Sequence, residues 1–226
     1  MVTNQDKDLL ARRRFNTQLL AGLGVAVLPL PLWAADADSL QEGRDWRRLS
    51  PPPARAPSEQ IEVLKFFSYG CGHCARLNPL IEPWAKEQPA DVSFQRVPVT
   101  FGRAAWASLA RLHFALEFAG ELERLDQAVF DAVTQQRENL YTERDVLRWV
   151  KKQGVDDKAF ADTMNSFAVE TALARAATLE QRMGIDAVPR IVIDNQYVVV
   201  GQGATDYGQL LVIADQLIER VRQARG

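Results

Sequence analysis

Residues 65–75 read Lys-Phe-Phe-Ser-Tyr-Gly-Cys-Gly-His-Cys-Ala, an apolar run ending in a Cys71-x-x-Cys74 pair. No other cysteine occurs in the 226 residues. Two thiols three positions apart at a helix start can close a small disulfide, and the free N–H groups and positive end of the helix favour a thiolate on the first. A structural crosslink constrains the unfolded chain most when it closes a long loop, so the spacing favours a redox pair over a staple. Zinc needs about four ligands. His73 lies between the cysteines and His113 is the only other histidine, so no metal and no cofactor are expected.

The N-terminus has the look of an export signal, with Arg12, Arg13 and Arg14 before Phe15 and an apolar stretch from Leu19 to Trp33. Ala35-Asp36-Ala37 offers a small-x-small cleavage pattern, which sets the expected leader at 1–37, with Ala34 as the other candidate cut. The apolar segment is shorter than the roughly 20 residues of a membrane span, and it carries Gly22, Gly24, Pro29 and Pro31. Arg-Arg-x-Phe resembles a twin-arginine signal, and a plain secretory signal with a basic start fits as well. The leader takes four basic and three acidic residues from totals of 27 and 29. The remainder is close to neutral, and nothing suggests nucleic acid. An exported chain with so few cysteines does not use an oxidising compartment to staple its fold.

Residues 38–58 are polar and rich in proline, with Pro51, Pro52, Pro53 and Pro57, and read as an extended lead-in. A buried strand is predicted over Ile61–Phe67, then a helix over 71–86 that Pro79 and Pro83 should kink or cut short. A second strand over 92–99 completes a β-α-β unit. Residues 103–182 change to helical spacing, with Gly120 and Gly154 as breaks. Thr142 and Asp145 make a capping start for one of these helices. A hairpin follows over 190–200, turning at Asn195-Gln196, and a last amphipathic helix is predicted over 207–222. The fold class is therefore α/β, a sheet interrupted by a helical insertion.

The Cys71-Gly72-His73-Cys74 motif at a strand-to-helix turn, the Phe-Phe-Ser-Tyr-Gly approach to it, the helical insertion and Val188-Pro189 before the hairpin together resemble the DsbA family. These are bacterial periplasmic thiol:disulfide oxidoreductases with a thioredoxin fold. The resemblance implies a thioredoxin-like domain over 59–102 and 183–226, an insertion over 103–182, and a cis bond before Pro189. It also implies exported, partly folded proteins with free cysteines as substrates, a DsbB-type membrane quinone reductase as the reoxidising partner, and a monomer.

On chemical grounds Cys71 should be the low-pKa nucleophile and Cys74 the resolving thiol, with His73 placing an imidazole near the first sulfur. Val188 and Pro189 should form the opposite wall, where free backbone aligns a substrate strand. Tyr69, with Ser68 and Gly70, is expected to border an apolar groove. His113 reads as a surface or core-edge residue. Two features depart from the family pattern. Gly72 stands where the best-known members have proline, leaving the potential anywhere between roughly −120 and −180 mV. Lys65 stands where relatives commonly bury an acid. It either reaches the site and favours thiolates or snorkels to solvent and does nothing catalytic. A dithiol oxidase is the expected function; the alternatives are an isomerase or reductase of the same fold and a non-redox chaperone-like module.

Overall fold

The computed structural model describes residues 40–50 and 59–225. The predicted leader and the prolines of the lead-in lie outside them. Among the described residues, five strands and seven helices follow the order β1 (Trp46–Arg48), β2 (Ile61–Phe67), α1 (Gly72–Lys86), β3 (Val92–Pro98), α2 (Ala104–Phe118), α3 (Leu122–Thr134), α4 (Glu143–Lys152), α5 (Asp157–Met164), α6 (Phe167–Arg182), β4 (Arg190–Ile193), β5 (Tyr197–Val199) and α7 (Tyr207–Arg225).

One sheet in the order β1-β5-β4-β2-β3 joins the strands. β2 pairs parallel with β3 and antiparallel with β4, so it is interior and covered on both faces. A nearly continuous apolar run is what such a strand needs. Its period-two alternation sorts two cores. Ile61 and Val63 pack with Leu77 and Ile81 of α1 and with Leu211, Ala214 and Leu217 of α7. Leu64 and Phe66 pack on the other face with Phe114 of α2 and Val169 and Ala176 of α6. Pro98 is tolerated because β3 is an edge, where a missing donor breaks no interior ladder.

The insertion builds its own core from Leu112, Leu116, Leu125, Phe130, Trp149 and Phe160, and that core extends to Phe67, Tyr69 and Cys74. Thr142 caps α4 as predicted, accepting from the Asp145 N–H at 3.3 Å while its hydroxyl donates back to the Asp145 carboxylate at 2.6 Å. Gly120 and Gly154 follow α2 and α4 with φ of +72° and +81°, values only glycine adopts without strain.

Three local expectations change. α1 is not cut short at Pro79 or Pro83 but continues to Lys86, the predicted end, because its buried face, Leu77, Asn78 and Ile81, outweighs the lost backbone bonds. The hairpin turns one residue earlier than predicted: Asp194 and Asn195 both have φ of 54°, and the Gln196 N–H donates to the Ile193 carbonyl at 2.9 Å. Residues 46–48 are not lead-in but an edge strand antiparallel to β5. Trp46 anchors it, edge-on to Tyr197 at 5.2 Å and beneath the Arg220 guanidinium at 4.6 Å.

Replacing Trp46 with alanine should lower stability by about 3 kcal/mol, the usual loss for a buried aromatic truncation. Denaturant titration measures it, with thiol exchange retained because β1 is separated from β2 by two strands.

Candidate active site

β2 delivers the chain to the site and α1 receives it. After Phe67 the backbone turns through Ser68, whose carbonyl accepts from the Cys71 N–H at 3.0 Å and whose hydroxyl accepts from Gly70 N–H at 3.2 Å. Gly70 has no substitute here, since a Cβ would lie 2.7 Å from the Trp106 Nε1 of α2. Cys71 is the N-cap of α1, with extended φ and ψ of −105° and 113°. Its Sγ takes the place of the usual capping oxygen and accepts the Cys74 N–H at 3.3 Å.

That geometry separates two thiols only three residues apart. Both cysteines are free. Cys71 is half-buried, and its pKa falls from 9.0 to about 6, driven first by the hydrogen bond from the Cys74 thiol and then by the Cys74 and His73 backbone N–H groups and the His73 charge, against the opposing effect of burial. Cys74 is fully buried. Burial drives its pKa upward and the bond to Cys71 adds to this, against a backbone hydrogen bond at Ser68 and then the Lys65 charge.

Opposite the pair, the Val188–Pro189 bond is cis, and the Val188 carbonyl lies 3.5 Å from Cys71 Sγ, to which the thiol donates. The structure thus brings Cys71, Cys74, Val188 and Pro189 together. His73 is exposed, with Nδ1 2.8 Å from the Tyr207 hydroxyl and 3.1 Å from Arg76 Nη2. The Tyr207 oxygen also accepts from Arg76 Nε at 3.1 Å. Arg76 and Tyr207 are absent from the sequence-based site. Arg76, three residues after His73 on one helix, had a signal in that spacing; Tyr207, at the start of α7, had none.

Tyr69 does not border a groove. It is 1% exposed, because its ring packs edge-on to Phe67 and Phe130 and its hydroxyl donates to Asp126 of α3 at 2.5 Å. His113 is not a surface or core-edge residue either. It is buried with its Nδ1 3.3 Å from the Tyr69 hydroxyl, and burial, aided by the Arg96 and Lys65 charges, lowers its pKa to about 3 and keeps it neutral.

Lys65 takes the first of its two expected courses, reaching the site, where its charge favours the Cys74 thiolate, rather than snorkelling to solvent. It occupies an inward position of β2 at 0% exposure, and its ammonium donates to Asn78 Oδ1 and to Glu82 Oε1, the latter at 2.7 Å. Burial pushes the Glu82 carboxyl upward, but Arg96 and Lys65 overcome this and hold it below its ordinary value. Asn78 donates onward to Asp126 at 2.8 Å and Gln127 at 3.0 Å. A buried polar chain therefore runs from Glu82 through Lys65 and Asn78 to Asp126 and Tyr69.

A model of the DSBA-like thioredoxin domain family matches residues 62–211. The thiol:disulfide interchange protein DsbA of Bordetella parapertussis is 34% identical over 208 residues, covering 92% of this chain and 97% of that protein. The DsbA of Pseudomonas aeruginosa PAO1 is 34% identical over 191 residues, covering 84% and 90%. The crystal structure of Pseudomonas aeruginosa DsbA superposes with a TM-score of 0.78 at 33% identity, covering 84% of this chain and 98% of that one.

Because the folded Cys71 thiol titrates near 6 rather than 9.0, its thiolate stabilises the reduced protein fully above pH 9 and loses that effect as pH falls through about 6. Iodoacetamide alkylation of the reduced protein should show a midpoint near pH 6 at Cys71. Over the same range, acidification should lower the melting temperature of the reduced protein relative to the oxidised one.

Proposed function

The chain belongs to the DsbA-like thioredoxin family and is a thiol:disulfide oxidoreductase, and from that premise we propose that it works in the oxidising direction, donating a Cys71–Cys74 disulfide to exported proteins. The observation that carries this reading is the opposed environment of the two thiols, a half-buried Cys71 whose thiolate is favoured and a fully buried Cys74 whose thiol form burial favours. A stabilised thiolate in the reduced protein favours that form and so makes the disulfide a stronger oxidant.

The chemistry proceeds in two exchanges. A substrate thiolate attacks Cys71 Sγ, forming an intermolecular disulfide, and the electron pair of the Cys71–Cys74 bond leaves on Cys74. The second substrate thiolate attacks its own sulfur in that mixed disulfide and expels Cys71, whose thiolate the helix N-terminus receives. The substrate is oxidised by two electrons and the cysteine pair is reduced. His73 adds an imidazole beside the departing Cys71. Val188 and Pro189 present the backbone against which an extended substrate aligns as an added strand.

In this reading residues 1–37 direct export to the periplasm, and 103–182 are an insertion in a thioredoxin-like domain formed by 59–102 and 183–226. The protein acts as a monomer on partly folded chains with free cysteines, without a cofactor, and a DsbB-type membrane quinone reductase restores its disulfide. None of the described helices is long and apolar enough to cross a membrane.

Equilibration of the mature protein against glutathione buffers, read by alkylation of free thiols, tests direction. A midpoint near the DsbA type, roughly −120 mV, supports the oxidase, whereas one near thioredoxin, roughly −270 mV, assigns a reductase. Cys71→Ser should abolish exchange, and Cys74→Ser should accumulate substrate mixed disulfides on Cys71, seen by non-reducing electrophoresis. Full oxidase activity in Cys71→Ser would sink the mechanism.

A further inference from the structure

The first exchange leaves a thiolate in an awkward place. When a substrate opens the disulfide, the bond pair departs on Cys74, which has no solvent exposure and lies in the insertion core with Phe67, Tyr69, Leu112 and Phe130. A charge released there must be neutralised by a proton or balanced by a fixed cation.

The surrounding groups offer no free acid. On α1, Asn78 does not ionise, and Glu82 is held as a carboxylate that accepts from Lys65 and Arg96. The Tyr69 hydroxyl, on the turn from β2, is committed to Asp126 of α3, and burial together with that carboxylate raises its pKa well above the ordinary value. Asp126 accepts from both Tyr69 and Asn78. His113 of α2 is neutral and meets the Tyr69 hydroxyl through Nδ1. The Cys71 sulfur is itself becoming bonded to the substrate.

A cation is present. Asn78 follows Cys74 by one helical turn on the same buried face of α1, and Lys65 of β2 donates to that asparagine from the strand beneath. Its Nζ also lies 5.2 Å from the centre of the Phe67 ring, within the set of side chains that encloses Cys74. Glu82 and Asn78 hold the ammonium from two sides, so it cannot swing to solvent.

We propose that Lys65 is a positioning residue of the exchange reaction: its buried ammonium, fixed by Asn78 and Glu82 beneath Cys74, stabilises the thiolate that leaves Cys74 when a substrate opens the disulfide. This rests on the oxidoreductase reading above. The attacking thiolate supplies the electron pair of the new bond to Cys71, the old bond pair stays on Cys74, and no proton moves in that step. Cys74 takes up its proton afterwards, outside the step that breaks the bond. The lysine thus serves the site without acting as a base.

The test is the opening of the oxidised, purified protein by excess glutathione, quenched with acid and followed by mass spectrometry. In the wild type the rate, expressed per glutathione thiolate in each solvent, should show no solvent deuterium isotope effect, because the leaving sulfur departs unprotonated. Lys65→Met should open about tenfold more slowly, since a poorer leaving thiolate slows exchange and a unit charge nearby is worth that much at intermediate dielectric. Lys65→Gln keeps donors for Asn78 and Glu82 without the charge; it should be slowed alike and also covers a Lys65→Met protein that does not fold. An isotope effect in the wild type, or an unchanged rate in either folded variant, overturns the role of Lys65 while leaving the oxidoreductase standing. Failure of glutathione to open the disulfide at all overturns both.

Discussion

The site depends on one handover, the point where an interior strand of the sheet becomes a helix N-terminus. β2 is paired on both edges and packed on both faces, so its end is fixed in space. The helix that follows starts with a sulfur in the capping position. A capping atom receives the partial positive charge of several unpaired N–H groups, and here the capping atom is also the reactive one. Moving Cys71 by a single residue would remove both the hydrogen bond from Cys74 N–H and the approach to the Val188 carbonyl. The reactivity of the first thiol is therefore a property of backbone geometry before it is a property of any neighbouring side chain.

Beneath that junction the sheet carries a charge in a position that alternation reserves for an apolar residue. An ammonium at Lys65 is tolerable there only with partners, because taking an isolated ion out of water costs several kcal/mol even after relaxation. Glu82 supplies the opposite charge, Arg96 supports Glu82, and Glu123 connects Arg96 to the half-exposed rim and to Lys86. Such a cluster adds little net stability compared with apolar packing, although removing one member is damaging. Its value lies in fixing a charge beneath the cysteines. Through Asn78 and its bonds to Asp126 and Gln127, it also fastens α1 to α3 of the insertion.

The parts legible in the sequence were those with local causes. The central strand, the motif at its end, the helical spacing of the insertion and the Thr142 cap each follow from a few neighbouring residues. So did the unlike roles expected of Cys71 and Cys74, since helix position alone distinguishes them. β1 was not legible: three residues beside a proline-rich stretch show no alternation, and Trp46 gains meaning only against Tyr197 and Arg220. Tyr69 is a similar case. An aromatic beside a reactive turn fits a groove equally well until α3 places Asp126 over its hydroxyl. His113 was misjudged, and the snorkelling course for Lys65 fails, because the expectation that polar tips reach water ignores partners supplied by distant elements. Tyr207 reaches His73 across 134 positions, a distance at which no spacing rule applies.

The insertion does more than lengthen the chain. A strand, a cap and a helix account for the lowered pKa of Cys71, but they do not account for Cys74, which lies one turn along the same helix and shares the same dipole. What separates the two is the face each presents. Cys71 looks toward Val188, with His73, Arg76 and Tyr207 forming a polar edge beside it. Cys74 looks into a core in which Leu112, Leu125 and Phe130 all come from the insertion. The sheet and α1 thus determine which thiol is activated, and the insertion determines that its partner is kept from water. A disulfide between such unlike sulfurs opens with a bias: the incoming substrate reaches only the exposed one, and the electrons go to the one that substrate cannot reach.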